Sequence, residues 1–186
     1  MVFQAKALSD NLQYVSDSIR VVPGFPKKGI MFQDITTLTR NPKAFKLCIE
    51  AFVERYKDQK IDVIAGVEAR GFIFGPPLAL ALGVGFVPLR KPGKLPGETI
   101  GAEYQLEYGT DRIEMTVESI TNGQNVLIID DLVATGGTLG AAVQLVEKVG
   151  AKVHEAACVI ELPELQGRAK LKATNVPLFV LLEKEA

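Results

Sequence analysis

The chain has no tryptophan, one histidine and two cysteines in 186 residues. A lone His154 cannot build a multi-histidine zinc site, and it leaves little scope for a histidine-based catalytic triad. It lies in an alternating pattern and reads as a solvent-face or packing residue of a strand. Cys48 and Cys158 stand far apart, each inside a patterned segment, so both are expected to be buried, reduced thiols of a cytoplasmic protein. Neither sign of charge dominates: the formal net charge is −1, and nothing at the whole-chain level points to nucleic acid or an anionic membrane. No apolar run approaches the roughly 20 residues of a membrane span. Met1 to Ser9 lacks a basic stretch followed by an apolar one and is not arginine-rich, so neither a signal peptide nor a transit peptide is expected. The hydrophobic share of 47% and charged share of 23% are ordinary for a globular protein, and the length suits one domain with a full core. No repeat, low-complexity tract or linker divides the chain.

The apolar pattern alternates between two periods. Leu8, Leu12, Val15 and Ile19 recur at helical spacing, with Ser9 and Asp10 near the start. Pro23-Gly24-Phe25-Pro26 breaks that run. Asn41-Pro42 predicts a cap and first-turn proline for a second helix, whose stripe is Phe45, Cys48, Ile49, Phe52, Val53 and Tyr56. Val63 to Val67 predicts a short buried strand, Phe72 to Leu82 a helix, and Gly85 to Leu89 another strand. Residues 90–102 are basic, rich in glycine and proline and poorly patterned, which predicts a mobile lid loop. Tyr104 to Tyr108 and Arg112 to Val117 predict a hairpin around Gly109. Val126 to Ile129 and Val153 to Ile160 predict further strands around a helix carrying Leu139, Ala142, Val143, Val146 and Val149. Pro163 to Leu171 reads as irregular or a short helix, and Pro177 to Leu182 as a last strand. Strands alternating with helices imply βαβ units and an α/β fold with a mainly parallel sheet.

The most informative stretch is residues 126–138, Val-Leu-Ile-Ile-Asp-Asp-Leu-Val-Ala-Thr-Gly-Gly-Thr. A strand apolar on both faces delivers Asp130 and Asp131 to the carboxyl edge of the sheet, where open α/β folds bind ligands. The loop Ala134-Thr135-Gly136-Gly137-Thr138 then lets backbone amides turn towards an anion at the start of a helix. Two carboxylates beside a phosphate cradle suit a ligand with sugar hydroxyls at one end and a phosphate at the other. Simple helix capping by Thr135 or Thr138 does not account for paired acids and paired glycines together. A Walker A loop is excluded, because no Gly-Lys-Ser/Thr follows at the required spacing.

This stretch resembles the phosphoribosyl pyrophosphate (PRPP) signature of the type I phosphoribosyltransferases, and the resemblance runs over nearly the whole chain. Pro23-Gly24-Phe25-Pro26, Gly29 to Thr36, Arg70 to Pro76, Arg90 to Gly97 and Leu106 to Gly109 fit, in order, the branch of that family whose acceptor is adenine. The resemblance implies a type I phosphoribosyltransferase fold: one domain over 1–186, a twisted, mainly parallel sheet flanked by helices, a small base-binding hood over about 1–35 and a flexible lid over about 90–117. It implies transfer of the phosphoribosyl group of PRPP to N9 of adenine, giving AMP and pyrophosphate in purine salvage. It also implies Mg²⁺ and a homodimer, with no nucleic-acid or membrane partner.

Carried over residue by residue, Asp130 and Asp131 hold the ribose hydroxyls, and Ala134, Thr135, Gly136, Gly137 and Thr138 hold the 5′-phosphate. Arg70 binds pyrophosphate, with Arg90, Lys91 and Lys94 closing over the same charge, some of them across the dimer. The family often carries a cis peptide, which falls near Glu68–Ala69. Phe32 stacks on one adenine face and Leu162 covers the other. Main-chain groups around Met31 and the neighbouring Gln33 read the Watson–Crick edge; many members carry arginine where this chain has Gln33. Mg²⁺ bridges substrate oxygens near Asp130 and Asp131, without an all-protein cage. Glu107, with Tyr108 beside it, manages the proton lost from adenine.

Three other readings are weaker. Transferases for 6-oxopurines place an aspartate where this chain has Ala134, and alanine cannot make its contact to the base. A non-catalytic PRPP-sensing regulator needs a nucleic-acid surface, against which the near-neutral charge and intact lid argue. PRPP synthesis needs an ATP site, for which there is no motif.

Overall fold

Five strands pair in the order β4-β3-β7-β8-β9, all parallel, to form the central sheet. They are β3 (Val63–Val67), β4 (Gly85–Leu89), β7 (Asn125–Val133), β8 (Lys152–Glu161) and β9 (Leu178–Glu183). The computed structural model describes residues 2–105 and 109–186, without the side chains of residues 2–8 and 105. Two antiparallel ribbons lie outside the main sheet: β1 (Arg20–Pro23) with β2 (Met31–Asp34), and β5 (Thr99–Gln105) with β6 (Thr110–Thr116). The helices are α1 (Val2–Asp17), α2 (Thr36–Arg40), α3 (Pro42–Tyr56), α4 (Gly71–Leu82), α5 (Gly137–Lys148) and α6 (Gly167–Lys172).

The sheet is covered on both faces, which is why its strands read as near-continuous apolar runs. Alternate residues face alternate layers. Val63, Ala65, Val126, Ile128, Ala156 and Cys158 join one core with Leu139, Val143 and Val146 of α5 and with Ile113 and Met115 of β6. Ile64, Leu127, Ile129, Ala157 and Val159 join the other, with Val15 of α1, Cys48 and Phe52 of α3 and Phe74 and Leu78 of α4. Both cysteines are buried free thiols, and burial pushes the Cys48 thiol up to about 12, leaving it unreactive. Asn41 caps α3 as its sequence predicts, its side chain accepting from Ala44 N with Pro42 in the first turn. Close packing of α4 rests on two glycines: a Cβ at Gly66 or Gly75 would meet the Phe86 ring at 2.6 or 2.4 Å.

β7 runs on through Asp130 and Asp131 to Val133, past the expected end of its apolar run at Ile129. Other elements also differ from the pattern-based expectation. The first helix begins at Val2, ahead of the apolar stripe that opens at Leu8, because alanines and lysine continue it without needing a buried face. The expected loop over 90–102 gives way at Thr99, where β5 begins and pairs Thr99 with Thr116. Gly101 hides this strand in the sequence. A side chain there would strike the Arg112 guanidinium at 2.5 Å, so glycine serves close cross-strand packing rather than a turn.

Strand order determines where a ligand fits. β3 is flanked by β4 on one side and β7 on the other. The connection after β3 crosses towards β4, while that after β7 crosses towards β8. The carboxyl ends of β3 and β7 therefore border the switch point at which open α/β sheets bind ligands.

Candidate active site at the switch point

The segment after β3, Glu68-Ala69-Arg70, meets the end of β7 across this point. The Glu68–Ala69 peptide is cis, where the resemblance places it. Gly71 lets α4 start hard against β7: a Cβ there would lie 2.6 Å from Ile129 O and 3.3 Å from Asp130 Cα. A cavity of about 380 Å³ opens between the two segments, lined by Glu68, Arg70, Lys91, Asp130, Asp131 and Thr138 among others. It holds three carboxylates against two cations, so its own field does not favour a polyanion.

Both signature acids are buried, Asp131 to 3% exposure. Asp130 Oδ1 accepts from Asp131 N at 2.8 Å. Burial, and then the neighbouring Asp131 charge, hold the Asp130 carboxyl well above the usual aspartate range. Arg70 Nε stands 2.6 Å from Asp131 Oδ2. This is a charge contact whose N–H is not aimed along it, and Oδ2 receives no hydrogen bond among the described residues. An acceptor oxygen buried in this way suits a hydroxyl donor, and oxygen-only donors suit a hard cation shared with substrate. Among the described residues no group of three or more His, Cys, Asp or Glu side chains is placed to hold a metal.

The loop beyond β7 forms a second, smaller cavity of about 100 Å³, lined by Asp130, Ala134, Thr135, Gly136, Gly137 and Thr138. The cap of α5 is Gly136, left-handed at φ +75°, with no side-chain capping bond. Neither Thr135 nor Thr138 thus serves as a helix cap. The first turn of α5 faces this cavity with its positive dipole end, the arrangement of a phosphate cradle. α6 supports the loop from behind: a Cβ at Gly167 would lie 2.3 Å from Ala134 O and 3.0 Å from Gly136 N.

The basic residues of the lid are distributed unevenly. Arg90 pairs with Glu68 through Nε at 3.2 Å and Nη2 at 3.1 Å, and its Nη1 donates to Lys94 O. Lys91 lines the larger cavity, with its ammonium on Asp111 and Tyr104. Lys94 is exposed. In the hood, Phe32 lies on β2, with the Arg70 guanidinium 5.8 Å from its ring centroid and Phe25 edge-on at 5.0 Å. Met31 is exposed, while Gln33 is buried and donates from Nε2 to Met31 O at 3.2 Å and to Glu185 O at 3.1 Å. Leu162 is buried just beyond β8, its N–H donating to Val133 O. Glu107 and Tyr108 lie outside the described residues.

Sequence reasoning passed over four residues that shape the site. Glu68 anchors Arg90 and accepts from Lys91 N at 2.9 Å. Tyr104 and Asp111 hold Lys91. Gly167 braces the phosphate loop. Only the last left a trace, as a glycine opening a short basic segment; the other three depend on pairings far apart in the chain.

This geometry agrees with the comparisons to known proteins. The model of the phosphoribosyl transferase domain matches residues 34–180. Adenine phosphoribosyltransferase 3 of Arabidopsis thaliana is 64% identical over 169 residues, covering 91% of each chain. The chloroplastic adenine phosphoribosyltransferase 1 of the same plant is 63% identical over 172 residues, 92% of this chain and 70% of the relative. A crystal structure of the Saccharomyces cerevisiae adenine phosphoribosyltransferase, complexed with an imino-altritol bisphosphate and adenine, superposes with a TM-score of 0.88. It is 48% identical, over 94% of this chain and 99% of that one. The chain belongs to the phosphoribosyltransferase family.

Proposed function

We infer that the chain works as an adenine phosphoribosyltransferase, transferring the 5-phosphoribosyl group of PRPP to N9 of adenine with release of AMP and pyrophosphate. One observation carries the reading: two buried acids and a glycine-opened helix start converge at the switch point, opposite Arg70. The high identity to relatives bearing that name, and the yeast complex with adenine and a sugar-like bisphosphate, support the choice of base.

Asp130 and Asp131 accept the ribose hydroxyls, and the amides of residues 134–138 hold the 5′-phosphate. Arg70, Arg90, Lys91 and Lys94 attract the pyrophosphate, Arg70 and Lys91 from the wall of the larger cavity. Asp130 and Asp131 would help to hold Mg²⁺ beside the substrate, and the ion would supply the positive charge that this acid-rich cavity lacks. As the bond from C1′ to pyrophosphate breaks, the two carboxylates stand beside the positive charge that grows on the ribose. Phe32 and Leu162 flank the base, and the strand around Met31, backed by Gln33, presents main-chain groups to its polar edge. Ala134 leaves no acid for a 6-oxopurine. Glu107, with Tyr108, manages the proton leaving adenine; Glu107→Gln is expected to lower kcat by about 10²- to 10⁴-fold, the scale of general base catalysis, with little change in PRPP binding. Stopped kinetics with equal turnover would remove Glu107 from the mechanism. A homodimer in the cytoplasm is the expected setting. Among the described residues no helix is long and apolar enough to cross a membrane.

The raised Asp130 carboxyl predicts a pH signature. A carboxyl displaced upward stays neutral to a higher pH than an ordinary aspartate, and its stabilising effect on the free fold is present at low pH and lost as pH rises through the folded value. A hydroxyl binds the charged form more strongly. PRPP affinity is therefore expected to fall on acidification at a pH above the usual aspartate range, and Asp130→Asn should abolish that step. Titration of the PRPP Kd against pH checks it.

The deciding experiment follows product formation with PRPP and Mg²⁺ over adenine, hypoxanthine, guanine, xanthine and N6-substituted adenines. AMP and pyrophosphate from adenine, with little from the oxopurines, supports the reading. Retained PRPP binding without turnover of any base would overturn it.

A further inference from the structure

One of the two cations lining the larger cavity is already engaged by a carboxylate of the β5–β6 hairpin. Lys91 lines the larger cavity beside Arg70, Asp130 and Asp131. Its ammonium pairs with Asp111 and donates to Tyr104 Oη at 2.8 Å. Tyr104 Oη donates in turn to Asp111 Oδ2 at 2.9 Å, while Asp111 Oδ1 accepts from Arg112 N at 2.8 Å. Tyr104 and Asp111 are cross-strand partners in the β5–β6 ribbon. Three groups from two separate parts of the chain thus close a small triangle at the cavity wall.

We propose that Asp111, oriented by Tyr104, is a positioning residue that competes with substrate pyrophosphate for Lys91, so that binding of PRPP or pyrophosphate exchanges a Lys91–Asp111 pair for a Lys91–phosphate contact. The proposal rests on reading the cavity as the PRPP site and adds to it the group that substrate must displace.

The chemistry permits the exchange. The two side chains are 39% and 27% exposed, so the pair is only partly desolvated and modest in strength. A lysine carries its charge on a flexible stem and can re-aim three donors without moving the backbone. Arg90 differs, since its two-point contact to Glu68 holds a planar fork in place. Burial draws the Lys91 ammonium down, but its bonds to Asp111 and Tyr104 prevail and hold it above the ordinary lysine value. The Lys91 bond holds Asp111 below the ordinary aspartate value. Both partners are therefore charged when substrate arrives, and a phosphate with more charge than a carboxylate is the stronger acceptor.

The test measures the Kd of inorganic pyrophosphate, with Mg²⁺, by calorimetry on the full-length protein. Asp111→Asn keeps the shape and removes the competing charge; its Kd is expected to fall about three- to tenfold, the scale of one charge-assisted bond. Lys91→Gln should raise the Kd, and in Lys91→Gln/Asp111→Asn the benefit of the second change should vanish. Tyr104→Phe, which frees Asp111 from its orienting phenol without altering charge, provides a second variant in case Asp111→Asn misfolds. About two- to threefold tighter binding is expected there, because Lys91 loses its bond to the phenol and Asp111 loses its orientation. A merely structural Asp111 would leave pyrophosphate binding unchanged or weaker in each folded variant, and that result overturns the exchange while leaving the functional reading intact. Absence of pyrophosphate binding by the wild-type protein overturns both.

Discussion

Gly136→Ala is expected to raise the KM for PRPP by about 100-fold, the loss that follows an ångström-scale displacement of a binding group. Two independent constraints meet at this residue. Its φ of +75° is left-handed, which costs a residue with a Cβ about 1–2 kcal/mol. The added Cβ would also lie 2.6 Å from Gly167 O and 3.2 Å from Gly167 C and Cα. Those atoms are backbone at the start of α6, so no rotamer change relieves the clash; the loop or the helix must move. The amides that we assign to the phosphate move with the loop. Adenine binding, which draws on the hood and Leu162, should change little. Calorimetry with PRPP alongside a thermal melt separates the effects, the melt reporting about 1–3 kcal/mol of backbone strain. A KM within twofold of the wild type would show that phosphate is not held by this loop.

Asp131→Asn should have an effect of similar size on activity and the opposite sign on stability. The carboxylate is buried, lies 2.6 Å from Arg70 Nε and has one oxygen without a hydrogen bond. Neutralising it removes the charged acceptor that we assign to a ribose hydroxyl. Loss of one charge-assisted contact at about 1.5–3 kcal/mol corresponds to a fall of about 10- to 100-fold in kcat/KM for PRPP. The free protein, in contrast, gains by losing one of two adjacent buried negative charges. The melting temperature should hold or rise, and the Asp130 carboxyl should fall back towards its ordinary range. Activity and stability lost together would mark Asp131 as a structural acid rather than a ligand of substrate.

The strands from Val63, Gly85 and Val126 and the helix capped by Asn41 were legible because each follows from local chemistry: an apolar run, an alternating face, a side chain reaching the third amide. The two acids and the glycine loop were legible for the same reason, since a site built from thirteen consecutive residues carries its own geometry. Where neighbours in space are distant in the chain, the pattern fell short. Residues 99–102 of β5 read as loop because Gly101 yields to Arg112 across the ribbon, a constraint that exists only once the strands pair. Arg90, Lys91 and Lys94 looked equivalent in sequence. Folding engages Arg90 with Glu68 and Lys91 with Asp111, and leaves Lys94 exposed.

The α/β alternation, the family and the residues we assign to a sugar phosphate can be read from the chain, because local periodicity, glycine placement and charge type are properties of neighbouring residues. Tertiary structure decided the strand order, and with it the switch point that sets Arg70 against Asp131. It also decided which cations are engaged by carboxylates before substrate arrives and which glycines serve packing rather than turning. These outcomes depend on distances across the sheet and between separate loops, where burial and a nearby charge, rather than residue type, determine what each group can bind.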